Sequence, residues 1–123
     1  MRPPLRLSQT EAAYIAGLLD GEGSIRVVDR LRRRSLELVV VGTHMPMLEW
    51  LLATIGTGSI SGPLTRTGAL GSKDCRHYRL CSVAAADLLR QVEPYMIEKR
   101  GRALEAIALA DSFPQRAESP SKL

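Results

Sequence analysis

The chain has 123 residues, with 17 Lys and Arg against 13 Asp and Glu, a formal charge of +4 and a pI of about 9.5. That length holds one domain, and a hydrophobic content of 45% supplies its core although only 4% is aromatic. The positive balance points toward polyanionic partners, while no apolar run reaches the roughly 20 residues of a membrane span. Met1–Leu7 lacks the apolar centre of a signal peptide. Cys75 and Cys81 have neither metal-ligand spacing nor a histidine cluster beside them, so reduced thiols are expected. A soluble, cytoplasmic protein is expected, with residues 1–113 as one domain and 114–123 as a flexible tail.

The first element is a helix opened by a capping box, Ser8 with Glu11, and closed at Gly21 or Gly23, either of which takes positive φ at little cost. Ala13, Gly17 and Gly21 recur every fourth residue and so form one bare stripe along it. Each interior glycine costs about 1 kcal/mol against alanine, which suits close approach of a second helix. Asp20 and Glu22 then place negative charge at the negative end of the helix dipole, a position that favours a bound cation. One carboxylate is a weak Mg²⁺ site, since that ion wants several hard oxygen ligands and borrows phosphate and water. Two copies of the helix crossing at a twofold axis would bring two Glu22 side chains and nearby backbone carbonyls, Gly23 included, around the same ions.

Past Gly23 the period changes. Ser24–Val28 and Ser35–Val41 read as a β-hairpin whose tip carries Asp29-Arg30-Leu31-Arg32-Arg33-Arg34. Thr43–Ile55 reads as a helix capped by Thr43, with Pro46 in its first turn and Met47, Leu48, Leu51, Leu52 and Ile55 as the apolar stripe. Gly58–Leu64 and Arg76–Val83 form a second hairpin, joined by the Gly-, Ser- and Thr-rich stretch Thr65–Asp74. Ala84–Val92 is a short helix, Pro94 breaks the chain, and Ile97–Asp111 is the last helix.

This order predicts an α+β fold with a four-stranded antiparallel sheet whose helices lie on one side. If Ile25, Val27, Leu36, Leu38, Val40, Tyr78 and Leu80 face the helices, alternation puts Ser24, Arg26, Val28, Arg30, Ser35, Glu37, Val39, Ser59, Ser61, His77 and Arg79 on the open face. Arg and Ser there suit base-edge readout, and a four-stranded ribbon suits the major groove. Arg30, Arg32, Arg33 and Arg34 at the first tip, and Arg66, Lys73 and Arg76 in the second connection, suit phosphates. A one-residue slip in register would invert the list of face residues.

The nonapeptide Ile15-Ala16-Gly17-Leu18-Leu19-Asp20-Gly21-Glu22-Gly23 resembles the signature of the LAGLIDADG homing endonucleases, and the resemblance extends over roughly residues 8 to 112. It implies an αββαββα fold with the sheet as a DNA-binding saddle. It also implies double-strand cleavage of a long, pseudo-palindromic duplex, with Mg²⁺ as cofactor and Ca²⁺ or Mn²⁺ as substitutes in vitro. Glu22 falls on the metal-binding acid of the motif, where the family often has Asp, one methylene shorter. Lys99, after Glu93-Pro94-Tyr95-Met96-Ile97-Glu98, matches a basic residue beside the metal centre that orients or polarises the attacking water. Gly42 stands where family members often place a polar side chain, leaving Thr43 or His44 as substitutes. Nothing later repeats Ile15–Gly23, so a homodimer is implied, with Ala13, Gly17, Asp20 and Gly21 at its seam. The expected partners are double-stranded DNA and a second copy of the chain, with no membrane and no small-molecule substrate.

Two other readings compete. One is a non-cleaving nucleic-acid-binding module of the same fold, either an RNA maturase or a transcription regulator. The other is an unrelated small basic α+β protein, such as a ribosomal or scaffold protein.

Overall fold

The structure, a computed structural model, describes residues 2–30, 33–64 and 75–112, with backbone alone described at 29, 30, 33, 63 and 64. Helix α1 spans Gln9–Glu22 and starts on the expected capping box: Glu11 N donates to Ser8 Oγ at 3.1 Å and Ser8 N to Glu11 Oε1 at 2.9 Å. It ends at Gly23, but for a different reason from the one the sequence suggests. Gly23 is extended, at φ −97°, so positive φ plays no part in the stop. A Cβ there would lie 2.7 Å from Leu19 Cδ2 and 2.8 Å from Leu19 Cα. The residue must be small because the chain turns straight from helix to strand against its own last turn.

Strand β1 (Gly23–Arg30) pairs antiparallel with β2 (Arg33–Gly42), running from Gly23 opposite Val40 to Arg30 opposite Arg33. Both strands extend beyond the alternating cores read from sequence. Helix α2 covers Met45–Ile55, one residue later than a Thr43 cap implies, so His44 takes the cap position and makes no capping bond. Pro46 sits in the first turn, and Gly56 closes the helix at φ +87°, the left-handed conformation glycine accepts. Strand β3 (Ser59–Leu64) pairs with β4 (Cys75–Cys81), with a register shift between Ser61 and Leu64 where Gly62 adopts φ +121°. The sheet order is β1-β2-β4-β3.

Helix α3 (Ser82–Val92) begins directly after β4, not at Ala84. Ser82 takes φ +63°, and this turn ends the strand before Val83. A single 3₁₀ turn, Glu93–Tyr95, follows, and α4 spans Arg100–Asp111, starting three residues after the expected Ile97. The connection Thr65–Asp74 and the tail Phe113–Leu123 lie outside the described residues. No helix among the described residues is long and apolar enough to cross a membrane.

The core lies between one sheet face and the helices. Leu36, Leu38, Val40, Tyr78 and Leu80 meet Ile15 and Leu19 of α1, Leu48, Leu51 and Ile55 of α2, and Leu88, Leu89 and Val92 of α3. Each such side chain contributes about 1.5–3 kcal/mol of burial. The register also fixes the opposite face. Ser24 lies opposite Val39, Arg26 opposite Glu37 and Val28 opposite Ser35, while Arg79 faces Val39 and Ser59, and His77 faces Val41 and Ser61. Tyr78 reaches through the core to donate its hydroxyl to Thr57 O at 2.6 Å. Burial pushes the Tyr78 phenol up, so it stays a neutral donor. Tyr78→Phe removes that bond and should lower stability by about 1–2 kcal/mol, read as a lower urea midpoint at unchanged m value.

Candidate nuclease site and nucleic-acid interface

Two elements meet where the acidic helix ends. Asp20, in the last turn of α1, accepts backbone bonds from Ile97 N at 2.8 Å and Lys99 N at 2.9 Å. In return, Lys99 Nζ donates to Leu19 O at 3.2 Å and Asp20 O at 2.6 Å. The carboxylate thus meets the amides leading into α4, and the ammonium meets the carbonyls that α1 leaves at its end. Each charge complements the dipole it faces. The clamp satisfies amides that have no partner within α4, which starts at Arg100. Lys99 therefore sits at the acidic end of α1, with two of its three donors committed to carbonyls. Asp20, expected on the seam, is half-buried and engaged within its own chain.

Glu22 differs from Asp20. It is exposed, and no hydrogen bond or ion pair among the described residues engages it. Ala13, Gly17 and Gly21 are exposed along the same helix, and a Cβ built on Gly17 or Gly21 meets nothing within 4 Å. The stripe is therefore a bare edge in the single chain. It has apolar flanks that periodicity alone did not reveal. Tyr14 is 54% exposed and stacks edge-to-face on Trp50, with ring centroids 5.1 Å apart, and Ile97 is 87% exposed beside the clamp. The signal for Tyr14 was its place next to Ala13; for Ile97 there was none, because the sequence reading put it inside a helix.

Gly23, the other metal candidate, is buried and gives its N–H to Leu19 O. Among the described residues no group of three or more His, Cys, Asp or Glu side chains could hold a metal ion. One chain offers a single unengaged carboxylate at this point, so its donor set fits a hard divalent cation only when a second carboxylate and phosphate oxygens complete the shell. Gly42, Thr43 and His44 end β2 and lead into α2, with Thr43 and His44 exposed.

On the open sheet face, Ser24, Arg26, Ser59 and Ser61 are exposed, and Val28, Ser35 and Arg79 are half-buried. Glu37, Val39 and His77 are buried instead, at 5%, 8% and 8% exposure. Arg34 is exposed in β2, and Arg30 and Arg33 belong to the described backbone at the hairpin end. Arg76 begins the strand Arg76–Val83 of the sequence reading and also counts there with the connection. It lies inside β4 with the parity of Tyr78, on the helix side, and its Nη1 approaches Met45 Sδ at 3.9 Å. Arg32, Arg66 and Lys73 lie outside the described residues.

Burial works to raise the Asp20 pKa, but the amides of Ile97, Lys99 and Glu98 and the Lys99 charge outweigh it and hold the carboxyl below its ordinary value. A depressed folded-state pKa stabilises the fold above the ordinary aspartate range, about pH 4, and this contribution is lost as pH falls through the folded value. Asp20→Asn should cost about 1–3 kcal/mol at neutral pH. Urea melts carried down to about pH 2 should show the variant and the parent converging.

In sequence the chain matches no family profile and no curated protein. In structure it is similar to the homing endonuclease I-CvuI in complex with its target in Ca²⁺, with a TM-score of 0.70 at 19% identity, covering 87% of this chain and 69% of that one. The archaeal intron-encoded homing endonuclease I-Vdi141I, complexed with DNA, superposes with a TM-score of 0.65 at 19% identity, covering 83% and 67%. The LAGLIDADG meganuclease I-AabMI, bound to uncleaved DNA, gives a TM-score of 0.64 at 18% identity over 81% of this chain but 36% of its own length. The α+β fold of this chain is the fold of the LAGLIDADG homing endonucleases.

Proposed function

We propose that this chain is a site-specific DNA endonuclease that acts as a homodimer, hydrolysing both strands of a pseudo-palindromic duplex with a divalent cation, Mg²⁺ in the first instance. One observation carries the reading: the helix whose glycine edge faces open space is the helix that ends in the unengaged Glu22. A second copy packed on Gly17 and Gly21 would set two such carboxylates together, which supplies what one chain lacks. The DNA complexes of similarly folded proteins, and the arginines and serines on the open sheet face, support duplex DNA as the partner. A net positive chain favours that encounter.

Each residue has a distinct task. Glu22 from each copy would hold the cation, with backbone carbonyls at the α1 end and DNA phosphates completing its ligands. When bound, Mg²⁺ supplies Lewis-acid polarisation of the phosphoryl oxygen and favours the attacking water. Lys99 holds the last carbonyls of α1 in place with two donors, and its third N–H is the one that would meet a water or a phosphate oxygen. The sheet face reads and orients the duplex, with each copy taking one half-site.

Two substitutions separate binding from chemistry. Glu22→Gln should leave duplex affinity within a few fold in gel-shift titrations yet lower cleavage about 100-fold or more. Gly17→Leu adds bulk only where the single chain is empty, so it should fold normally, sediment as a monomer and cut no duplex. A Gly17→Leu variant that stays dimeric would remove the seam from the proposal. An unmutated chain that binds a selected duplex but leaves it uncut in Mg²⁺ would favour the non-cleaving module.

A further inference from the structure

We infer that Glu37 is a positioning residue for sequence readout, holding Arg26 and Arg79 as a matched pair of guanine-reading forks in each half-site. The inference rests on the open sheet face meeting DNA, and it assigns that face a specific division of labour. Glu37 sits on the central strand β2, 5% exposed, on the side away from the helices. A carboxylate so buried on an otherwise polar face needs partners, and it has two. Arg26 Nη2, directly across on β1, donates to Glu37 Oε1. Arg79, diagonally placed on β4, brings its Nε to 3.1 Å from Glu37 Oε2.

The two contacts differ in kind. The Arg26 contact is a charge-assisted hydrogen bond. The Arg79 Nε is buried but is not aligned for a hydrogen bond, so Coulomb attraction holds it. Arg79 Nη2 also lies 3.4 Å from His77 Nε2, a second support from the same strand. Both oxygens of Glu37 are thus turned to guanidiniums, which leaves the carboxylate unsuited to accept from a cytosine amino group. The Arg26 and Arg79 side chains remain 56% and 40% exposed. A guanidinium has five donors in a rigid fork, so one edge can face Glu37 while another faces outward. Guanine presents O6 and N7 to such a fork in the major groove, and this bidentate pair is the commonest specific contact. One carboxylate between two guanidiniums also limits their repulsion across neighbouring strands. The cluster keeps a single positive charge, enough to favour DNA without tying the heads to phosphates.

The test is selection of bound duplexes from a randomised pool in Ca²⁺, followed by affinities for single-base variants of the winning site. The parent should select guanine at two positions per half-site. Arg26→Lys keeps the charge and loses the fork, so it should relax one position about tenfold, and Arg79→Lys should relax the other. Glu37→Gln, which touches no base, should relax both at once, with a thermal midpoint showing that it folds. Loss of stability alone would lower all affinities together and leave the base preference intact. A folded Glu37→Gln that keeps both guanines overturns the positioning role. If Glu37→Gln does not fold, the lysine variants decide, and unchanged guanine preference in both overturns the assignment. A parent chain that selects no sequence at all overturns instead the reading of the face as a DNA surface.

Discussion

The reciprocal clamp between the end of α1 and the start of α4 governs everything around it. Asp20 supplies negative charge to amides that precede one helix, and Lys99 supplies positive charge to carbonyls that finish the other. Residues 77 to 79 positions apart in sequence are thereby fixed within hydrogen-bond distance. Two consequences follow from that constraint. Asp20 is consumed internally, so Glu22 is the acid that remains outside. The last carbonyls of α1 at Leu19 and Asp20 also find a donor in Lys99, which the end of a helix needs.

The sheet obeys a different physics. Its helix-facing side is an ordinary apolar layer, whereas its open side would be a poor surface if it were simply hydrophilic, because β2 and β4 are central strands. There Val39, His77 and Glu37 are buried, and Arg26 and Arg79 set guanidinium atoms against Glu37 while their side chains stay partly exposed. A face built in this way is polar at its surface and ordered beneath it. That combination suits recognition of a regular polyanion, where fixed side-chain geometry counts for more than net charge.

Much of this was legible in the residues, because local rules and global fold agree. The capping box at Ser8 and Glu11, the alternation in β1 and β2, and Pro46 in the first turn of α2 each gave the correct element. The sheet register could be read from which residues are apolar, since a slip would have buried Arg26 and exposed Ile25. The failures come from particular contacts, near in sequence or far, that no residue pattern spells out. Gly23 looked like a conformational stop and is a steric one, decided by Leu19. The start of α4 falls at Arg100 and not at Ile97, and the amides before it pair with Asp20, far away in sequence. Arg76, read both as a strand start and as a phosphate-facing cation, lies in β4 near Met45. At the site, the glycine stripe and Glu22 could be singled out from spacing, but Tyr14 with Trp50 and the exposure of Ile97 depend on packing that no local pattern encodes.

The central claim is that the bare edge of α1 is completed by another copy of itself, so that two Glu22 carboxylates share a divalent site. A crystal structure of the protein bound to its selected duplex in Ca²⁺ tests this most directly. The account predicts both Glu22 side chains within about 2.3–2.6 Å of bound cations at the dimer axis, with phosphate oxygens completing the shell. Glutamates held apart by any other mode of association, with cations bound elsewhere on the complex, would contradict it.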